Sequence, residues 1–247
     1  MNYIRRNAPP TNWLVDGLLS SNEPTVIAGG SKMHKTTFAL DLAVSLATQA
    51  PWLGHFPVSK RREVLYLLGE ERDNAWRKAN GLAIAKGVVY SEAEGLIKMF
   101  QLSPTQLSTE EGLQLIRNYV RFREFDVVIV DPLWFCLGGI EPMRWPQASD
   151  AIKAFVDACR PASTVIVHDV IKRAVRKRKA PNLGDMYYPG VHRQFGNFWM
   201  IGSREEYNFD DHFRYAATWR SGDERAQFHV DFDESAKTFE VRKVKKR

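Results

Sequence analysis

Cysteine is scarce in this chain of 247 residues, which has only Cys136 and Cys159. Both stand in apolar stretches without the spacing of metal ligands, so we expect buried free thiols in a reducing cytosol rather than a disulfide framework or a zinc module. No apolar run approaches the roughly 20 residues that span a bilayer, and the first ten residues lack the apolar centre of a signal peptide. A cytoplasmic protein without a membrane partner is therefore expected.

Internal repeats and low-complexity linkers are also missing, and a hydrophobic content of 44% is enough for one α/β domain. Short apolar runs alternate with longer amphipathic ones, which favours a mostly parallel sheet flanked by helices. The predicted strands are Thr25–Ala28, Glu63–Leu68, Ile97–Leu102, Val127–Val130, Thr164–Val167 and Asn197–Ile201. The predicted helices are Thr37–Thr48, Arg72–Lys86, Thr109–Arg123 and Gln147–Cys159.

The character of the chain changes after about residue 205, where short alternating runs are joined by turn residues. Phe213–Arg220, Ala226–Phe232 and Thr238–Val244 predict a small antiparallel β extension. We therefore expect three parts within one structural domain. They are a segment over 1–24 that packs on the core or a neighbour, a core over 25–205, and the extension with its basic tail over 206–247.

A phosphate-binding loop is indicated by VIAGGSKMHKTTFALDLA, residues 26–43, where a β-rich run meets two glycines and then a helical pattern. In such a loop, backbone amides of the turn and the positive end of the next helix bind phosphate. A lysine reaches the β and γ phosphates, and the adjacent hydroxyl holds Mg²⁺. Here Gly29 and Gly30 permit the turn, and Lys35 and Thr36 supply the lysine and the hydroxyl. The predicted nucleotide-binding residues are Gly29, Gly30, Ser31, Lys32, Met33, His34, Lys35, Thr36 and Thr37.

His34 departs from the pattern G-x-x-x-x-G-K-[ST], which has glycine at its place. It must either avoid a positive φ or accept one at a cost of roughly 1–2 kcal/mol. A loop of different curvature is therefore one expectation, and Lys32 adds a cation that could partly compensate at the phosphates. Taken alone, the loop could also be an ordinary strand-to-helix connection.

Two further predicted strands end in carboxylates. Val127–Val130 runs into Asp131, the position at which P-loop enzymes hold Mg²⁺. The stretch VLYLLGEE ends in Glu70 and Glu71, and a glutamate there could polarise an attacking water. Because open α/β sheets bind ligands at the carboxyl ends of their strands, we expect these groups and the loop to converge on ATP with Mg²⁺.

Basic residues cluster in two places. Residues 172–179 hold six cations in eight positions, and the tail 241–247 holds five in seven. Such runs are often no more than solvated surface. Composition alone therefore leaves open whether either run binds a polyanion.

Five stretches make the chain similar to a known family: WLVDGLL (13–19), KTTFALDLA (35–43), VLYLLGE (64–70), VIVDPL (128–133) and VIVHD (165–169). They resemble the RecA-like ATPases of the RepA type, the hexameric replicative helicases of plasmids and their phage and mobile-element relatives, within the RecA/DnaB/KaiC group. The resemblance weakens beyond about residue 172. It implies an α/β fold of the RecA-like P-loop NTPase class, and some members carry a Ser-Lys-x-x-Lys-[ST] loop like this one.

The resemblance also assigns roles to residues of the site. Lys35 would bind phosphate, Thr36 and Asp131 would bind the metal, and Glu70 would be the catalytic base. His168 matches a histidine that senses the γ-phosphate, although a core histidine is the alternative, and relatives often have a second histidine where this chain has Asp169. The next loop would present cations to nucleic acid in a central channel. Those cations are Lys172, Arg173, Arg176, Lys177, Arg178 and Lys179.

The partners that the resemblance implies are a hexameric ring of identical subunits, single-stranded DNA, and a primase or initiator protein. An arginine from the neighbouring subunit would complete each site, with Arg193 and Arg204 as candidates because the family's Arg-Gly-Ser segment is not intact here. The expected function is an ATP-driven, helicase-type motor in plasmid or phage replication. A non-unwinding ATPase, such as a loader or recombination accessory, and a weakly hydrolysing DNA-binding regulator are the alternatives.

Overall fold

The structure is a computed structural model that describes residues 12–69, 71–103, 106–137, 140, 144–170, 185–186, 191–203, 212–221 and 224–243. Its strands are β1 (Trp13–Val15), β2 (Leu19–Ser20), β3 (Thr25–Gly29), β4 (Val64–Leu68), β5 (Ile97–Gln101), β6 (Val127–Asp131), β7 (Ser163–Asp169), β8 (Asn197–Ser203), β9 (His212–Ser221), β10 (Glu224–Asp233) and β11 (Thr238–Lys243). Its α-helices are α1 (Lys35–Thr48), α2 (Arg72–Ala85), α3 (Tyr90–Glu94), α4 (Glu110–Arg123) and α5 (Trp145–Cys159).

One nine-stranded sheet organises the fold, in the order β11-β10-β9-β8-β3-β7-β6-β4-β5. The strands from β8 to β5 pair in parallel, and we call them the parallel half. The strands β9, β10 and β11 pair antiparallel and form the antiparallel half, which joins the sheet through β8. The predicted fold class is confirmed, and the C-terminal extension continues the central sheet instead of standing apart from it.

Two apolar clusters cover the two faces of the sheet. The first lies beneath α1 and α2 and includes Ile27, Ile129 and Val167; we call this side the α1 face. The second lies beneath α4 and α5 and includes Val128 and Ile166. Side chains alternate between the faces along each strand, so β3, β4, β6, β7 and β8 are buried on both sides, as the continuous β-branched runs of β6 and β7 predict. The edge strand β5 leaves Phe100 exposed.

The described part of the N-terminal segment packs on the core. β1 and β2 form a small hairpin whose Leu14 and Leu19 belong to the cluster on the α1 face. The indole Nε1 of Trp219 in β9 donates to the carbonyl of Leu18 at 2.6 Å. The hairpin therefore ties the start of the chain to the antiparallel half.

Two element boundaries differ from the predictions in ways that affect the site. α1 begins at Lys35, two residues before the predicted start. β7 continues to Asp169, because it pairs with β3 up to the Gly29–Asp169 position. Cys159 is a buried free thiol as expected, and burial raises the pKa of that thiol. No helix in the described ranges is long and apolar enough to cross a membrane.

Candidate nucleotide site

The phosphate loop leaves the sheet at its centre. Gly29 ends β3, and its two neighbours across the sheet are Asp169 in β7 and Ile201 in β8. A Cβ atom at Gly29 would lie 3.0 Å from the carbonyl oxygen of Ile201 and 3.3 Å from its Cβ. This glycine is therefore needed because β8 packs closely against it, not only to permit the turn that the sequence suggested.

The left-handed backbone of the loop falls on residues other than glycine. Lys32 has φ of 59° and His34 has φ of 53°. His34 is the residue before α1, and its carbonyl accepts the first helical hydrogen bond from the amide of Phe38 at 2.9 Å. A histidine at this position could either avoid a positive φ or accept one with strain, and His34 has the positive φ.

Contacts from the antiparallel half surround the imidazole of His34. Its Nδ1 and the hydroxyl of Tyr215 share a hydrogen bond of 2.5 Å, and its ring centroid lies 4.3 Å from that of Phe213. The Glu234 carboxylate is 3.7 Å from Nε2. Burial lowers the pKa of His34, and the Glu234 carboxylate partly opposes this shift.

Lys35 occupies the position expected of a phosphate lysine, at the first residue of α1. Its Nζ donates to the carbonyl of Gly30 at 2.8 Å and lies 2.8 Å from Oδ1 of Asp169. The ammonium group is thus held within the loop at the positive end of a helix. The sequence analysis noted Asp169 only because relatives often have a histidine at its place. The ion pair with Lys35 makes it a residue of this site.

Asp131 ends β6 two residues after Ile129, so its side chain projects from the α1 face, the same face as the loop and α1. The carboxylate is largely buried, and its Oδ2 accepts a hydrogen bond of 2.8 Å from the hydroxyl of Tyr66 in β4. Sequence reasoning missed Tyr66. The available signal was a phenol within an otherwise aliphatic strand, two positions from the strand end.

The donor set at this edge fits a magnesium ion. The residues described include no group of three or more His, Cys, Asp or Glu side chains that could form a metal cage. Mg²⁺ does not need one, since it is usually bound through one or two carboxylates together with water and substrate phosphates. The hydroxyl of Thr36 and the carboxylate of Asp131 offer oxygen donors of that kind and would hold the ion.

Residues 2–173 match the AAA domain family (AAA_25), a match that spans more than half of the chain. The chain belongs to this family. Its members are RecA-like P-loop ATPases, which supports an ATPase, while the roles of the loop residues, Lys35 and Asp131 stay predictions. The prediction of RepA-type helicase membership is finer than this match and stays a prediction.

The fold of this AAA domain protein is similar to that of a KaiC-like protein from the hyperthermophilic archaeon Pyrococcus horikoshii. The two chains are 15% identical, the TM-score is 0.61, and the alignment covers 93% of each chain. At this identity the likeness supports the RecA-like fold alone. No curated protein matches the chain.

His168 and Asp169 end β7 on opposite faces of the sheet. His168 lies beside Ala28 of β3 and is almost fully buried. It is on the face of the sheet that the apolar cluster beneath α5 covers. Burial lowers the pKa of His168 to about 4, with the nearby Asp169 carboxylate opposing the shift, so the imidazole is neutral at pH 7. Its role as a γ-phosphate sensor stays a prediction.

The described residues on either side of the basic run lie close to the phosphate loop. The amide of Val170 donates to the carbonyl of Gly29 at 3.1 Å, and Val170 pairs with Met186 in a short antiparallel bridge. The six predicted DNA-binding cations at 172, 173, 176, 177, 178 and 179 lie in the sequence between these two residues and outside the described residues. The described start of that segment is therefore joined to the end of β3, and its described end is joined to Val170.

Two other predicted site residues, Glu70 and Arg204, also lie outside the described residues. Glu70 stands between Gly69, whose amide donates to the carbonyl of Asp131 at 2.9 Å, and Glu71 at the start of α2. Arg193 is exposed in a short 3₁₀ helix that precedes β8, whose first residue lies beside Thr25. It is thus near the edge where the parallel strands begin, and the phosphate loop lies at the opposite edge.

A cavity of about 460 Å³ opens beside the loop on the α1 face. Its walls come from the loop, from α2 and from the antiparallel half, which contributes Phe213, Phe232, Glu234 and Lys237. The cavity is within the range of small-ligand sites and contacts Lys35, Thr36 and Thr37. A nucleotide bound at the loop would find space there beside the phosphates.

Proposed function

We propose that the chain is an ATP-hydrolysing, RecA-like ring ATPase that acts on DNA as a helicase-type motor of the plasmid or phage kind. The observation that carries the proposal is the position of Lys35. Its Nζ lies within the loop at the start of α1, with Asp131 projecting from the same face of the sheet. Membership of the AAA domain family, whose members are P-loop ATPases, supports the part of the proposal that concerns ATP hydrolysis.

Hydrolysis by this site requires groups that bind the phosphates and a group that orients water. Loop amides and Lys35 would bind the β and γ phosphates, and Lys35 must exchange the Asp169 carboxylate for them. Mg²⁺ bound by Thr36 and Asp131 would withdraw charge from the phosphates. Glu70 would accept the proton of the attacking water.

Coupling to DNA would run along β7. The strand carries Asp169, which pairs with Lys35, and continues into Val170, from which the segment with the basic run departs. Asp169, whose partner Lys35 would bind the γ-phosphate, is therefore one residue before the segment that would contact DNA. Cations that follow a phosphate backbone give binding that tolerates sequence and weakens with salt.

Assembly into a hexameric ring would supply what a single subunit lacks. Arg193 lies on the side away from its own loop, as a residue that acts in a neighbour's site must. Arg204 is the second candidate. An arginine of this kind accounts for roughly 10³–10⁵ in rate, so a monomer would hydrolyse ATP slowly.

Two other functions remain candidates. A non-unwinding ATPase, such as a loader or recombination accessory, would use the same site without strand separation. A weakly hydrolysing, nucleotide-dependent DNA-binding regulator is favoured by two observations, the strained His34 in the loop and the pairing of Lys35 with Asp169.

ATP turnover measured with and without single-stranded DNA separates the three. The motor predicts turnover that DNA stimulates, together with displacement of a strand from a forked duplex. Stimulated turnover without displacement indicates the accessory ATPase, and nucleotide binding with negligible turnover indicates the regulator. The mass of the particle with a non-hydrolysable ATP analogue reports the ring, and a strict monomer contradicts a shared site.

Two variants test the assigned roles. Glu70→Gln should lower turnover by about 10²–10⁴ while nucleotide still binds, and wild-type turnover would remove Glu70 as the base.

Replacing the six cations at 172, 173, 176, 177, 178 and 179 by alanine should abolish DNA binding and spare ATP binding. Unchanged affinity for DNA would contradict the role of the basic run.

A further inference from the structure

The phosphate loop holds a conformation that its own sequence disfavours. His34 has φ of 53° and ψ of 24°, in the left-handed region that glycine enters freely and a side chain with a Cβ does not. Lys32, two residues earlier, is also left-handed. Backbone that alternates in this way turns successive N–H groups toward one point and forms an anion-binding concavity.

Residues that hold such strain need support from the structure around them. For His34 that support comes from the antiparallel half. Tyr215 of β9 shares the 2.5 Å hydrogen bond with Nδ1, and the rings of Phe213 and Phe232 lie 4.3 Å and 5.4 Å from the imidazole, centroid to centroid.

The supporting side chains are themselves fixed in place. Tyr215 is almost fully buried, and its ring meets that of Phe38 in α1 edge-on at 5.5 Å. Phe232 is also buried and stacks on Phe239 of β11 at 4.5 Å, while Phe239 lies 5.0 Å from Phe38. The hydroxyl that contacts His34 therefore projects from a closely packed group of aromatic rings that also packs on the helix following the loop.

We propose that His34 is a positioning residue, and that its hydrogen bond to Tyr215 holds the phosphate loop in the curvature that binds phosphate. The link replaces the conformational freedom of a glycine with a tertiary contact. It gives the antiparallel half a part in the nucleotide site, since β9 supplies the fixed end of the link. This inference rests on the proposed function, because it deepens the account of the same site.

The choice of side chain at position 34 distinguishes this role from simple packing. His34→Ala removes the link and keeps a Cβ, so the strain is no longer compensated, and affinity for ADP should fall about tenfold. His34→Gly removes the link and the strain together, so affinity should stay within about threefold of wild type. Packing alone predicts the opposite order, because glycine removes more of the side chain than alanine does.

A double-mutant cycle tests the link itself. Tyr215→Phe keeps the ring against Phe38 and removes only the hydroxyl, and it should weaken ADP binding about fivefold. In the His34→Gly protein the same substitution should change nothing at the loop, because residue 34 no longer has a side chain for the hydroxyl to contact. Tyr119→Phe, on α4 and away from the loop, is the matched control and should leave affinity unchanged.

A second readout does not depend on nucleotide. Hydrogen exchange of the amides in 31–40, measured on the nucleotide-free protein, should be faster in Tyr215→Phe than in wild type, and Tyr215→Phe should add nothing to His34→Gly. A wild-type protein that binds no nucleotide would contradict the proposed function, and the exchange cycle would still decide the link. Equal effects of Tyr215→Phe in both backgrounds, in exchange and in affinity, would overturn the link and leave the ATPase proposal standing.

Discussion

The two halves of the sheet divide the work of the site between them. In the parallel half, β6 and β7 are buried on both faces and end in the carboxylates Asp131 and Asp169. Strands of the antiparallel half bury one face, where aromatic rings surround His34. The polar groups of the nucleotide site and the side chains that surround His34 therefore come from different parts of the chain. Even Asp169 and Phe213, the nearest of these in sequence, are more than 40 residues apart.

The largest expected effect is on stability, from the antiparallel half. Phe228 is buried, stacks on Trp199 at 5.5 Å and meets Phe56 edge-on at 5.2 Å. Phe228→Ala should lower the free energy of unfolding by about 3–5 kcal/mol, because a cavity replaces the ring. Denaturant titration measures the change, and Phe122→Ala, at a side chain 83% exposed, is the control. Equal losses in both variants would contradict the assigned packing.

The next effect is at Lys35, beside the parallel half at the start of α1, and should leave stability almost unchanged. Lys35→Ala should lower ATP turnover by at least about 10²–10³, since the positive charge at the phosphates is lost. The melting temperature should change little, because the partner Asp169 is half-exposed. Lys153→Ala, at an exposed lysine on α5 that also pairs with an aspartate, is the control. Wild-type turnover in Lys35→Ala would mean that ATP is hydrolysed elsewhere.

Acid stability provides a third contrast, at the end of β7. The pKa of His168 is lowered to about 4 in the folded protein, and the ordinary value is 6.5. Protonation therefore favours unfolding, so the stabilisation is complete above pH 6.5 and is lost as the pH falls toward 4. The loss should reach roughly 3 kcal/mol. Unfolding free energies of wild type and His168→Gln across this range should diverge, and parallel curves would contradict the burial of a neutral imidazole.

The smallest effect sharpens the comparison at the ion pair. Asp169→Asn should release Lys35 for phosphate and strengthen ADP binding by about two- to fivefold, the range of a partly exposed pair. Calorimetric titration measures the affinity. Asp157→Asn, at an exposed aspartate paired with Lys153, is the control. Weaker binding in Asp169→Asn would show that the carboxylate assists the nucleotide instead of competing with it.

Much of the fold follows from local patterns in the sequence. Short apolar runs predicted the strands of the parallel half to within two residues, and the longer amphipathic runs predicted α1, α2, α4 and α5 equally closely. The loop and Lys35 follow from a motif whose physical basis is local, a turn before a helix. The prediction that β3, β4 and β6 end at one edge needed only their parallel pairing.

The rest of the site depends on contacts between distant segments. Asp169 meets Lys35 because β7 lies beside β3 and ends in register with Gly29, which no local pattern reveals. Tyr215 reaches His34 across 181 positions of sequence, and only because the antiparallel half continues the central sheet through β8. The strain at His34 was foreseen as one of two outcomes, but its compensation could not be.

A structure of the protein with magnesium and a non-hydrolysable ATP analogue tests most directly whether the loop is a working nucleotide site. We expect the phosphates on the amides of residues 31–36, the metal between Thr36 and Asp131, Lys35 moved from Asp169 to the phosphates, and His34 still bound to Tyr215. An empty loop at saturating ligand, or a loop closed by the side chain of His34, would contradict a working nucleotide site in this chain.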